Sequence, residues 1–132
     1  MKPDVTRAAG FLANMLREDI VPELTGFRAG NVSMTAAMLD MIAEEWDRAA
    51  ARLVAENADF AALLGNDAVK DATPDLRISA LTARNEDLRT RLIALHADVE
   101  TRDDPQAKDT ETTIWAALRR SVEARRIASA NF

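Results

Sequence analysis

Apolar residues recur every three or four positions over most of the chain. In the first segment Val5, Ala9, Leu12, Met15, Leu16 and Ile20 keep that rhythm, the mark of an amphipathic helix. The pattern predicts a helix from about Asp4 to Leu24. Pro22 has no N–H to donate to the carbonyl of Glu18, so a kink or an end is expected in the last turn. "TGFRAGN" reads as a connection with two glycines, part of it compatible with an early start of the next helix, and a second helix is expected over at least Ser33 to Ala55. On a helical projection Met34, Met38, Met41, Ile42, Trp46, Ala49 and Leu53 share one arc, while Asp40, Glu44 and Asp47 lie opposite. The expectation is a methionine-rich inside and an acidic, solvated outside, with Glu44 and Arg48 paired one turn apart.

Beyond Ala55, "ENADFAALLG" predicts a break near Asn57 and a short helix stopped by Gly65. "NDAVKDA" reads as a polar linker. A third helix is expected to start with Thr73 as cap, Pro74 in the first helical position and Asp75 in the first turn, and to run to roughly Thr101. Its seam is Leu81, Leu88, Leu92, Leu95 and Val99. "RDDPQAKDTE" reads as a loop. A fourth helix is expected from about Glu111 to Ala128, with Ile114, Trp115, Leu118 and Val122 as its stripe and "SANF" as a tail. Four periodic segments with short connections predict one all-α domain over residues 1–132. Its expected form is an antiparallel four-helix bundle with one extra short helix near residues 58–64.

A few polar residues break into these stripes. Glu45 projects into the methionine arc, Asn85 sits in the seam of the third helix, and Arg125 falls in line with the fourth. His96 flanks the third helix's seam on the same side as Arg89. One reading has these groups pairing inside the core, with Glu45 at least half buried against Arg89 or Arg125, since a lone buried carboxylate is costly. The other makes Glu45, Asn85, Arg89, His96 and Arg125 the lining of a polar pocket between helices, where bundles build ligand sites.

Composition narrows the chemistry. Twenty-six alanines and few glycines, prolines and aromatics suit a helical protein. With no cysteine, disulfides, thiolate metal sites and cysteine nucleophiles are excluded. A single histidine, preceded three residues earlier by Ile93, cannot supply the two Glu-x-x-His motifs of a carboxylate-bridged di-iron bundle. Carboxylates alone suit weak calcium or magnesium binding, so neither a metal nor another cofactor is expected, and no catalytic residue is assigned. The net charge of −5 and the dispersed arginines of "LRRSVEARR" disfavour nucleic acid. No apolar run approaches a membrane span, and no cleavable signal pattern opens the chain. A cytoplasmic protein is expected.

Two stretches resemble a family of small bacterial all-helical proteins of unknown function. "FLANMLREDIVPELTGFRAGNVSMTAAMLDMIAEEW", residues 11–46, is similar to its opening, where an apolar helix ends in a proline-containing turn followed by glycine and a second helix. "IWAALRRSVEARRIASANF", residues 114–132, is similar to its closing segment. The resemblance rests on Val21, Pro22, Leu24, Gly26, Leu118, Arg119, Val122 and Asn131. It does not extend over residues 57–110, and Phe132 stands where a proline often follows the asparagine. Members are typically encoded beside aminoglycoside-phosphotransferase-like kinases and acyl-CoA dehydrogenases. The resemblance therefore implies a partner enzyme of one of those classes and carries no catalytic residue with it. The leading expectation is a non-catalytic accessory protein that binds a partner enzyme, with a homodimer as a further expectation because Met34 and Met38 have thin cover. The alternative is a small ligand-binding or enzymatic bundle built on the interhelical pocket.

Overall fold

In a computed structural model of the protein, the described residues are 4–65 and 75–129, and no strand occurs among them. The chain is all-α. Four α-helices follow in order: α1 (Val5–Met15), α2 (Gly26–Leu64), α3 (Ile78–Glu100) and α4 (Pro105–Ala124). They form two compact units, Met1–Ala49 with Ile127–Phe132, and Ala50–Arg126. The 39-residue α2 contributes to both.

In the first unit, Asp4 caps α1 by accepting from the Arg7 N–H at 3.0 Å. The expected disturbance at Pro22 begins a full turn earlier. The chain widens into a π-type turn over Leu16–Ile20, tightens to a 3-10 turn over Val21–Glu23, and becomes extended at Leu24. A proline cannot continue the regular ladder, so the preceding carbonyls take other spacings. The Val21 N–H reaches back to Leu16 and the Leu24 N–H to Val21. Gly26, at φ 58°, opens α2 in a left-handed conformation that suits glycine. The residues expected to connect the first two helices are thus already the first turns of α2.

The expected inside of α2 holds at Ala49 and Leu53 but not over the methionine-rich turns before them. Ala9 and Ala13 of α1 and Ala36, Ala43 and Ala49 of α2 are the buried apolar residues, whereas Met34, Met38, Ile42 and Trp46 are half or more exposed. Alanine lets helix backbones approach closely, and a unit with so few helices covers only one side of α2. Two of the acids expected on the solvated side make attachments instead. Asp40 pairs with Arg17, and Glu44, besides pairing with Arg48 at 2.6 Å as expected, accepts from the Ala128 and Ser129 N–H groups at 2.9 and 3.0 Å. Those two backbone donors hold the Glu44 carboxyl down to about 2.

In the second unit there is no break at Asn57. Residues 58–64 are the last turns of α2 rather than a separate short helix, and Gly65, at φ 85°, ends it. Thr73 and Pro74 lie outside the described residues. Asp75 precedes α3 rather than joining its first turn, and Arg77 stands at the cap position. "RDDPQAKDTE" is not a loop: Asp104 caps α4 through the Ala107 N–H at 2.9 Å, with Pro105 in the first helical position. The helix consequently starts six residues before the expected boundary and ends at Ala124. The core joins Phe60, Ala61, Leu88, Leu92, Val99, Ala107, Ile114 and Ala117, with Leu95 and Leu118 packed against it. The α3 seam is as expected. On α4 the buried face is rotated: Ala117 and Ser121 point inward, while Trp115 and Val122 are exposed.

Candidate functional site

Among the described residues, a heavily bonded polar cluster lies in the second unit and is centred on Glu56. This carboxylate was not singled out from the sequence, because a helix break was expected beside it. The unbroken α2 carries it to the buried face instead. It lies eleven residues, about three turns, beyond Glu45 on the same side of the helix. The position expected to meet the arginines thus had the right phase and the wrong turn.

Glu56 is 5 % exposed at its side chain. Arg125 of the α4 C-cap donates through one terminal nitrogen to both its oxygens, at 2.9 and 2.7 Å. Arg89 of α3 donates to Oε1, and the Ser121 hydroxyl donates to the same oxygen at 3.0 Å. Arg52, one turn earlier on α2, is 3.9 Å from Oε2. Burial pushes the Glu56 carboxyl upward, but the hydrogen bonds from Arg125 and Arg89 outweigh it and hold the group below its ordinary value. A buried charge is retained because cations surround it.

The cluster extends along α3. The Arg89 Nε donates to Asn85 Oδ1 at 2.8 Å, Asn85 Nδ2 donates to Asn57 Oδ1 at 2.9 Å, and Asn57 Nδ2 donates to the Leu81 carbonyl at 3.1 Å. The Arg89 guanidinium also lies over the Phe60 ring, 5.3 Å from its centre. A continuous polar relay therefore links α2, α3 and α4. Such a relay fixes the register of one helix against another, since sliding by a turn would leave several buried groups without partners.

Of the five residues expected to line a pocket, three meet here: Asn85, Arg89 and Arg125. Glu45 is partly buried and belongs to the first unit; both arginines expected as its partners hold Glu56. His96 stands apart from the relay. Its ring meets the Trp115 ring edge-on at 5.3 Å between centres, and its Nε2 lies 3.7 Å from Glu100 Oε1. Glu56, Asn57 and Ser121 were missed. The clue available in the sequence was the spacing of Glu45 and Glu56 on one face, had α2 been read as continuous.

Comparison of the chain with family models, with characterised proteins and with solved structures finds no match. The reading of the site therefore rests on its own geometry. In the Glu56 cluster that geometry is self-contained: acceptor oxygens face guanidinium and hydroxyl donors of the same unit, and a ligand entering it would have to displace those internal bonds. No described helix is long and apolar enough to cross a membrane.

Proposed function

We propose that the protein is a non-catalytic accessory module that docks on a partner enzyme through the bare apolar ridge of α2. The observation that carries this reading is the row Phe27, Met34, Met38, Ile42 and Trp46. Seven- and four-residue steps keep these side chains on one side of a single helix, and each is at least half exposed, Phe27 at 83 %. A contiguous exposed apolar surface of this kind marks an interaction site more often than a solvated face. Methionine suits such a role because its unbranched side chain adapts to the surface it meets. The inward commitment of Glu56, Arg89 and Arg125 supports the non-catalytic part of the reading.

The resemblance of residues 11–46 and 114–132 names the partner class to test first, an aminoglycoside-phosphotransferase-like kinase, with an acyl-CoA dehydrogenase second. The test is titration of the purified chain against such a kinase from the same genome. Wild type, Met38→Glu and Trp46→Glu are compared, with circular dichroism as the folding control. The expected result is a complex that each ridge variant weakens by about tenfold or more, an effect of the size a central contact residue carries. Equal binding by all three proteins would refute the ridge. Sedimentation showing that the variants alter only self-association would make a second copy of the chain the occupant. Loss of binding in His96→Ala with both ridge variants unaffected would place the contact elsewhere.

A further inference from the structure

We propose that His96, Glu100 and Glu111 form a binding site for a divalent transition-metal ion of the zinc class, joining α3 to α4. The three side chains each offer one ligand atom, and these atoms lie within 4.8 Å of one another. His96 Nε2 and Glu100 Oε1, one turn apart on α3, are separated by 3.7 Å. A zinc ion held at about 2.0–2.2 Å from each ligand needs such atoms to come within about 3.5 Å of one another. The remaining closure falls to the two carboxylates, of which Glu100 is 58 % exposed at its side chain and can turn without disturbing the core.

A second observation points to a ligand at this place. The imidazole is largely enclosed, 19 % exposed, and its Nε2 is shut off from solvent, yet no hydrogen bond from a described residue reaches it. A buried ring nitrogen beside two carboxylates, with no hydrogen bond of its own, has the geometry of a metal ligand. Exposed Glu100 and partly buried Glu111 supply two anionic oxygens, and the Trp115 ring meets the imidazole edge-on. The site also sits at the C-terminal turn of α3, since Glu100 is that helix's last residue, and the negative end of a helix favours a cation. Nearby cations are already engaged: Lys108 pairs with Asp103 at 2.5 Å, and Arg102 with Asp98 and Asp104.

One nitrogen and two carboxylate oxygens suit zinc, manganese or iron better than calcium or magnesium, which favour all-oxygen sets. Three protein ligands leave a coordination position for water. The expectation of no metal rested on a single histidine and no cysteine, with nothing in the spacing to bring carboxylates to that histidine. Glu111 entered only because residues 105–111 are helical, which brings it beside the last turn of α3.

The experiment uses the full chain without an affinity tag, titrated calorimetrically with zinc chloride and followed by the ¹⁵N and ¹H signals of its one histidine. Wild type is expected to bind one ion, with the His96 ring signals shifting in step. Glu111→Gln and His96→Ala each weaken binding by about tenfold or more, the loss a removed ligand brings. Asp109→Asn, which removes the same charge two residues away, changes it by less than about twofold, since a screened surface charge contributes little. Glu111→Gln keeps the side-chain shape, so it remains informative if His96→Ala disturbs the core. Equal affinity in Glu111→Gln and wild type, zinc binding no tighter than magnesium binding, or an unmoved histidine signal while zinc binds would each overturn the proposal.

Discussion

Replacing Glu56 with glutamine tests whether the polar relay is a structural lock. The substitution keeps the side-chain volume but removes the charge that Arg89 and Arg125 share, and it turns an amide N–H₂ toward one of them. Breaking a buried ion pair by removing one partner costs about 3–5 kcal/mol. That figure needs discounting here. The Glu56 side chain is 5 % exposed, but those of Arg89 and Arg125 are 36 % and 42 % exposed, so water can solvate them again once they are released. A loss of about 2 kcal/mol follows, between the surface and the fully buried cases. Urea unfolding at pH 7, with the denaturant dependence compared between proteins, measures it. Arg125→Met should cost about 1 kcal/mol less than Glu56→Gln, because Arg89 and Ser121 still satisfy the carboxylate. The pH dependence gives an independent sign. The folded-state pKa of Glu56 lies below its ordinary 4.5. Its contribution is therefore fully present above that value and is lost as the pH falls below it, when the unfolded chain takes up the proton first. The gap between wild type and Glu56→Gln should narrow as the pH drops through that range. A difference under about 0.5 kcal/mol at pH 7, the size of an ordinary surface substitution, would refute the lock. So would a gap that stays constant down to acid unfolding.

Leu88, fully buried where α3 enters the core, should lose about 2–5 kcal/mol on Leu88→Ala, read by the same urea titration. Asp104→Ala removes the cap of α4 and should cost about 1 kcal/mol; no loss would mean the helix starts elsewhere in solution. In wild type the Ala128 and Ser129 amide signals should titrate with a midpoint of about 2, because Glu44 accepts from both. That attachment is complete above the ordinary carboxylate value of 4.5 and is lost toward about 2. Glu44→Gln should therefore speed hydrogen exchange at these two amides at pH 7 while leaving the helical circular dichroism unchanged.

How much of this was legible beforehand differs between the two ends of the chain. The α3 seam of Leu81, Leu88, Leu92 and Val99 was read correctly because its leucines stand at unambiguous spacing, and Asn85 was rightly marked as an intruder. The methionine arc of α2 was misjudged. Periodicity identifies the two faces of a helix, but it does not say which face a neighbour will cover. Ala36, Ala43 and Ala49 of α2 are buried, and Met34, Met38, Ile42 and Trp46 are left bare. Residues 105–110 depart from the expectation for a related reason: polar and charged sequence after a proline resembles a loop, while Asp104 and Pro105 form a good helix start that only becomes decisive once Ala107 has a core to enter.

The sequence by itself therefore determined the helical class, the existence of a disturbance before Pro22, the core face of α3 and the exclusion of thiol chemistry. Each follows from a local property: propensity, a missing N–H, spacing or the absence of a residue type. Only tertiary structure decided that Glu56 rather than Glu45 holds the arginines, that Glu44 accepts from the Ala128 and Ser129 amides, and that Glu111 stands beside His96. These pairings join residues between 15 and 85 positions apart. Their existence depends on helix continuity and on which helix faces which, quantities that emerge only when the helices compete for the same buried space.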